Sequence, residues 1–447
     1  MSTSLSFELE PVPQRAARVL AKLTPDPVER ETWGRLRIRV AGRTVTDFWD
    51  PKLREERSHI NVPAFSIAQW IVSNWWTLLY EPCRTDSVPT HPSAVLSRLP
   101  WVKRHCLRSA DSSLFLPALY VFSDGRGSRV EWQDDKDGTL PHMPGEFTGH
   151  GSEWVPTQVA QDALGEFVRK VLGRVAGLED ERVQALRSDW QAIENADEDE
   201  AEFCAAAGRI GIDPYDPDEM TDELAAFIEG IDPEQPLARD LMEVAEPTSI
   251  TAQWSWVKEA TDTLKIGPMA NLFQASARKA DTLPYKYAYE LAGEIRARAG
   301  IGESQPVDEI STVARRVAGV PCLLRERNHL AAPGVRAVVG RSHTGEIVVA
   351  GPHRLPESER FHTARALYEA LFACEASARL ITNAFTWDQQ ASRAFAAELL
   401  APQAALAQRV PESADKTTVE DLAAEYRVST AVVSLQLKNA GVPLLLE

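Results

Sequence analysis

Cysteine is scarce in this 447-residue chain, and its five residues, Cys83, Cys106, Cys204, Cys322 and Cys374, show no CxxC spacing. That excludes a disulfide framework and suits reduced thiols in a cytoplasm-like compartment. Long apolar runs are missing as well. The best, Trp70 to Tyr80, is broken by Ser73 and Asn74 and falls well short of the ~20 residues of a membrane helix. The opening MSTSLSFELEPVPQ has no basic region leading into an apolar run, so no secretion signal is read. A cytoplasmic protein without membrane contact is expected. The third absence is a basic stripe. Net charge is −17, and Glu194 to Glu246 holds 18 acidic residues against only Arg209 and Arg239, a balance of −16. The remainder is nearly neutral, so binding to a phosphate backbone, which needs clustered Lys and Arg, is not expected. The 194–246 segment reads either as a solvated helical linker or as an acidic contact surface for a basic protein partner.

What is present describes a globular protein. A hydrophobic content of 44% and a charged content of 25% are ordinary, and the length allows two or three domains. A short helix is expected around Ala16 to Leu23. Arg35 to Val40 alternates basic and apolar side chains as a half-buried strand does. Ala64 to Tyr80 carries Trp70, Trp75 and Trp76 at helical spacing with no basic residues between them, which predicts a core helix rather than a stacking surface. Leu116 to Phe122 and Ser128 to Gln133 flank a glycine-containing turn, a hairpin pattern. The loop from Asp134 to Gly151 holds His142 and His150, whose spacing fits no zinc pattern. His105-Cys106 lacks a third orienting group for a thiol nucleophile. An amphipathic helix over Val155 to Leu178 closes a first α+β domain, 1–180, of unassigned role. An acidic helical connecting module is expected over 181–283, with one helix through Phe203 to Ile210 and a second starting around Asp218. Ile250 to Ala299 reads as a further helical run with breaks at Gly267-Pro268 and Leu283-Pro284.

The stretch Arg360 to Pro402, RFHTARALYEALFACEASARLITNAFTWDQQASRAFAAELLAP, carries the most specific pattern in the chain. It resembles the core of the ImmA/IrrE family of zinc metallopeptidases, in which an Arg-Phe lead is followed by an HExxH helix and then by a helix reading E-x-x-A-N-x-F-A-A-x-L-L-x-P. Asp388, Ala391, Phe395, Ala396, Ala397, Leu399, Leu400 and Pro402 fall in that register. Tyr289 to Asp308 resembles the helix and loop that open such domains, and Ala337 to Ala350 reads as the hairpin of their small sheet. Val419 to Val442 resembles the family's C-terminal helical segment. Together these imply a zincin-like domain over 284–447, ending in a helix-turn-helix-like subdomain at about 415–447. The fold class expected for the whole chain is α+β and mainly helical.

The same register removes the chemistry. Arg365, Ala366 and Glu369 stand where the family has His, Glu and His, and Asp388 stands at the third ligand position. Imidazoles at i and i+4 would supply two zinc ligands and the intervening Glu would activate water. Arginine cannot ligate a cation, and alanine cannot take a proton. No cofactor, zinc included, is therefore expected. Arg365, Glu369, Asp388 and His362 remain as candidate binding residues, with Arg365 expected to bridge the two carboxylates across the helices. The function implied is that of a degenerate, non-enzymatic scaffold that binds a protein partner or senses a ligand. Two other readings stay open. One is an active metalloendopeptidase with a relocated site, although His362 and Glu369, seven residues apart, lie ~10 Å from each other along a helix. The other is a DNA-binding regulator, for which only Gln436, Lys438 and Asn439 offer base-reading side chains, behind the acidic Glu420, Asp421 and Glu425.

Overall fold

The computed structural model describes residues 4–13, 24–84, 99–135, 145–263, 265–267, 283–326, 334–352, 355–372, 378–410 and 412–445. The short helix expected at 16–23, together with His142 and Cys374, lies outside them. The protein is mixed α+β and consists of two compact units, Met1–Gly230 and Ile231–Glu447. The stretch 181–283 does not stand alone: its residues up to Gly230 belong to the first unit and the rest to the second.

In the first unit, β1 (Leu5–Pro11) pairs antiparallel with β2 (Trp33–Val40), preceded by helix α1 (Pro27–Thr32). The alternation read in Arg35 to Val40 is realised, since Leu36, Ile38 and Val40 point into the core. β3 (Arg43–Thr44), β4 (Phe48–Asp50), β5 (Glu55–Arg57) and β6 (Ile60–Pro63) follow, with β3 and β6 also pairing with β2. The tryptophan-rich stretch forms two helices, α2 (Phe65–Ser73) and α3 (Trp75–Tyr80), because Asn74 leaves the helical region at φ −121°. Trp70, Trp75 and Trp76 are all buried there. After α4 (Pro100–His105), the hairpin forms as β7 (Ala118–Ser123) and β8 (Ser128–Gln133). Its turn is fastened by Asp124 Oδ1, which accepts from Arg126 N and Gly127 N at 3.0 Å. β9 (Glu146–Phe147) pairs with β4, and β10 (Gly151–Val155) with β8.

Four helices complete this unit: α5 (Thr157–Arg174), α6 (Glu181–Asn195), α7 (Glu198–Ile210) and α8 (Asp222–Glu229). Phe167 of α5 packs on Phe7 at 5.6 Å, and Trp190 of α6 meets Trp75 edge-on at 5.0 Å. Burying one such side chain contributes about 1.5–3 kcal/mol. α7 approaches α3 so closely that a Cβ on Gly208 would lie 2.5 Å from Trp76 O. The acidic segment is thus anchored by a buried face of Cys204, Ala207 and Ile210. α8 starts at Asp222, four residues later than the sequence suggests. Thr221 caps it by accepting from Leu224 N, while Asp218 sits in the preceding turn.

In the second unit, α9 (Pro236–Met242) and α10 (Ile250–Thr263) precede α11 (Pro284–Arg298) and α12 (Ile310–Ala318). The sheet consists of β11 (Cys322–Glu326), β12 (Val335–Arg341), β13 (Ile347–Gly351) and β14 (Arg379–Thr382), in the order β11-β13-β12-β14. β12 and β13 form the expected hairpin, and Gly345 at φ +85° takes the left-handed turn position. Two helices carry the signature stretch, α13 (Pro356–Phe372) and α14 (Trp387–Leu400). They meet through Tyr368, Phe372 and Phe395, with ring centroids 5.4–5.7 Å apart.

The chain ends with α15 (Gln403–Arg409), β15 (Ala414–Asp415), α16 (Lys416–Tyr426), α17 (Thr430–Asn439) and β16 (Leu444–Leu445). Ser429 caps α17 as its sequence position suggests, accepting from Val432 N. Gln436, one of the three side chains offered for base reading, is buried instead. Its Nε2 donates to Glu398 Oε2 at 2.8 Å and to Ala401 O at 3.0 Å, and its Oε1 accepts from the Tyr289 hydroxyl. Only Lys438 and Asn439 of that trio stay exposed, and Asn439 leans on Tyr289.

Candidate functional site

Helix α13 is buried without interruption from Thr363 to Leu371. A helix enclosed on all sides has no solvent face for charge, so Arg365 and Glu369, one turn apart, must find partners inside the protein. Arg365 finds them as hydrogen bonds, and among the described residues Glu369 does not.

Arg365 is 2% exposed. Its Nε donates to Ser392 Oγ at 3.1 Å, and its Nη2 donates to Thr382 O at 2.9 Å and to Gln389 Oε1 at 2.6 Å. The guanidinium therefore does span from α13 to α14, and these bonds run to neutral oxygens. Gln389 is fully buried and clamps the outer edge of β14. Its Oε1 also accepts from Thr382 N at 2.9 Å, while its Nε2 donates to Leu380 O at 2.8 Å.

The remaining edge group, Leu380 N, donates to Asp240 Oδ2 at 2.8 Å. Asp240, 1% exposed, comes from α9 and holds Arg379 by two parallel bonds, from Nε at 2.8 Å and Nη2 at 2.9 Å. A bidentate, charge-assisted pair of this kind is the strong form of the contact. The N–H and C=O groups of Leu380 and Thr382 are all taken by side chains, which closes a strand edge that would otherwise be open to pairing.

Glu369 is left with little. Arg379 Nη1 stands 3.8 Å from its Oε2, beyond hydrogen-bond range, and its buried Oε1 has no hydrogen-bond partner among the described residues. Arg365 gives Glu369 no hydrogen bond, so the Glu369 side of the expected guanidinium bridge does not form. Gln389, Ser392 and the Thr382 carbonyl attract the fork across to α14 and β14, away from its own helix. Burial pushes the Glu369 carboxyl up to about 8. Arg379 opposes that shift, Asp388 and Asp240 add to it, and Arg365 opposes it weakly. At 3.8 Å, with its fork turned to Asp240, Arg379 does not offset the loss of water.

The other candidate positions scatter in role. Ala366 is a buried methyl group. Asp388 is half-buried in the first turn of α14, and its charge acts on Glu369. His362 turns its Nδ1 to Ser358 O, 2.7 Å away, within its own helix. Among the described residues, no group of three or more His, Cys, Asp and Glu is placed to hold a metal ion. No protein-family model, curated protein or solved structure matches this chain.

Sequence reading missed Asp240, Arg379, Gln389 and Thr382. Asp240 lay within the acidic run and was counted as part of a possible contact surface, yet it is internal, as is Glu243, which accepts from the Thr386 hydroxyl at 3.3 Å. Nothing local distinguishes Asp240 from its exposed neighbours, because its partner is 139 residues away.

The first unit has a buried ionic cluster of its own. Glu81 accepts from Arg104 Nε at 2.8 Å and Nη2 at 2.7 Å, and His105 Nε2 lies 2.9 Å from its Oε2. His105 Nδ1 faces Val121 O at 2.6 Å, so both ring nitrogens point at oxygens and away from Cys106. Burial pushes the Cys106 thiol up, which makes it a poor nucleophile. His150 stays exposed beside Asp134, with Nδ1 3.2 Å from Oδ2.

Burial alone would raise the Glu81 carboxyl, but hydrogen bonds from His105 and Arg104 outweigh it and hold the group at about 2. A folded-state value below the unfolded one stabilises the protein above the usual carboxylate range, and that stability is lost as pH falls toward 2. The expected loss is about 3 kcal/mol. Glu81→Gln should flatten this acid limb in urea titrations between pH 5 and pH 2, and an unchanged limb would refute the assignment.

Proposed function

We propose that the second unit is an ImmA/IrrE-like, zincin-type scaffold whose catalytic centre has been replaced by an internal polar lock. In this reading the protein binds a protein partner or senses a ligand as a regulatory component. The carrying observation is Arg365, which stands at the first ligand position with its guanidinium bonded to Ser392, Thr382 and Gln389. The donor set at these positions does not suit zinc. A guanidinium offers no lone pair, Ala366 offers no base, and a carboxyl raised to about 8 is protonated at neutral pH. The closed β14 edge supports the same reading, since Leu380 and Thr382 leave no backbone group for an extended peptide to pair with. The family resemblance points to bacterial stress response or defence against mobile elements as the setting, in a cytoplasmic location. The acidic surface of Glu198, Asp199, Glu202, Asp222 and Glu223 suits a basic protein partner.

The test is metal content and peptidase activity of the full-length protein after incubation with zinc, together with what co-purifies from its native host. Expected are zinc well below one equivalent, no peptide cleavage and a stoichiometric protein partner. Equimolar zinc that disappears in Glu369→Gln or Asp388→Asn would overturn the proposal.

A further inference from the structure

A cleft of about 400 Å³ opens in the second unit between α11, the 301–305 loop and the α14–α15 corner. Ile301, Pro402 and Ala405 give it apolar walls, while Arg296, Glu303 and Glu398 supply the charge. None of these residues belongs to the polar lock around Arg365.

The two buried or half-buried charges do not use each other's hydrogen-bonding groups. Arg296 Nη1 donates to Leu399 O at 2.5 Å, and Nη2 donates to Gly302 O at 2.6 Å, Gln305 O at 2.5 Å and Glu303 O at 3.3 Å. Its terminal nitrogens thus pin the 301–305 loop to the end of α14. Glu398 directs Oε2 inward, where it accepts from Gln403 N at 2.9 Å and Gln436 Nε2 at 2.8 Å. No described donor reaches its Oε1, and that oxygen is not sealed from solvent. The carboxylate is held in place by two donors on Oε2, and the residue lines the cleft. Glu303, exposed at the rim, adds a second negative charge.

We propose that this cleft is a binding site for a small organic cation, an alkylguanidinium or alkylammonium group. Its head would donate to Glu398 Oε1, and its alkyl stem would lie against Ile301, Pro402 and Ala405. A fork-shaped donor suits a fixed carboxylate, and partial enclosure limits screening of the pair by salt. A free metabolite or a side chain of a basic partner could each present such a head, and the shared chemistry is the guanidinium or ammonium group.

Calorimetric titration of the full-length protein with n-butylguanidinium, and separately with its neutral analogue n-butylurea, tests the site. Saturable binding of the cation is expected with Kd of about 1 mM or tighter, and about tenfold weaker binding of the urea. Glu398→Gln keeps an acceptor oxygen but removes the charge, and should weaken cation binding by about tenfold. Ala404→Trp plugs the cleft from an exposed position on α15, leaves Glu398 in place, and should abolish binding without disturbing the fold. Equal affinity for the cation and the urea overturns the proposal, as does undiminished binding to Ala404→Trp or absence of saturable binding to the wild-type protein. Failure here leaves the polar-lock reading untouched, because no residue is shared.

Discussion

Asp240→Ala should destabilise the second unit by about 3–5 kcal/mol, the usual cost of removing one partner from a buried ion pair. Asp240 carries two loads. It neutralises Arg379, which is 4% exposed, and it accepts the Leu380 N–H at the outer edge of β14. Without it, Arg379 keeps Glu369 at 3.8 Å, beyond hydrogen-bond range, and the more distant charge of Asp388. A shift of the urea midpoint, read from the transition of the second unit, checks this. Replacing both partners, Asp240→Leu with Arg379→Met, should recover much of the loss, because an apolar pair leaves no stranded charge. A midpoint unmoved by Asp240→Ala would show that water or a neighbouring group satisfies Arg379, and the lock as described would fail.

Glu369→Gln should change stability with the opposite pH sense from Glu81. The folded carboxyl sits at about 8 against an ordinary 4.5. Between those values the folded state holds a proton that the unfolded state has released. Stability from this group is therefore complete below the unfolded value and falls as pH rises toward 8. The full drop is on the order of 3–5 kcal/mol. Glutamine keeps the shape and is neutral throughout, so the variant should lose this slope and become the more stable form at alkaline pH. Urea titrations of both proteins at pH 5 and pH 9 give the answer. If the stability difference between them is the same at both, Glu369 is ionised throughout and the proposed loss of ligand character falls with it.

The two ionic clusters show why local pattern carries fold further than it carries chemistry. The sequence showed His105 beside Cys106, but the carboxylate that organises His105 and Arg104 is Glu81, 24 and 23 residues upstream. Gly211, at φ +89°, ends α7 in the left-handed region, as its place after an apolar face implies. That a Cβ there would lie 2.5 Å from Glu81 Oε1 follows only from packing. Gln436 makes the same point, since it sits on a helix whose cap, Ser429, is where its sequence position suggests. Polarity suggested exposure, and the Tyr289 and Glu398 partners brought by α11 and α14 bury it instead.

Alternation and helical spacing by themselves determined the strand at Arg35 to Val40, the hairpin around Gly125 and the buried tryptophans of α2 and α3. Each is set by interactions within a few residues, where apolar periodicity chooses the buried face and caps and glycines choose the ends. The sequence also sets Arg365 and Glu369 one turn apart on α13, with Ala366 between them. Only the tertiary structure decided what those side chains do. The direction of the Arg365 fork, the recruitment of Asp240 from an acidic run and the isolation of Glu369 depend on which donors and acceptors share one dry volume. Such pairings join residues 17 to 140 positions apart, and desolvation, which sets their strength, belongs to the packed interior and to no local stretch of chain.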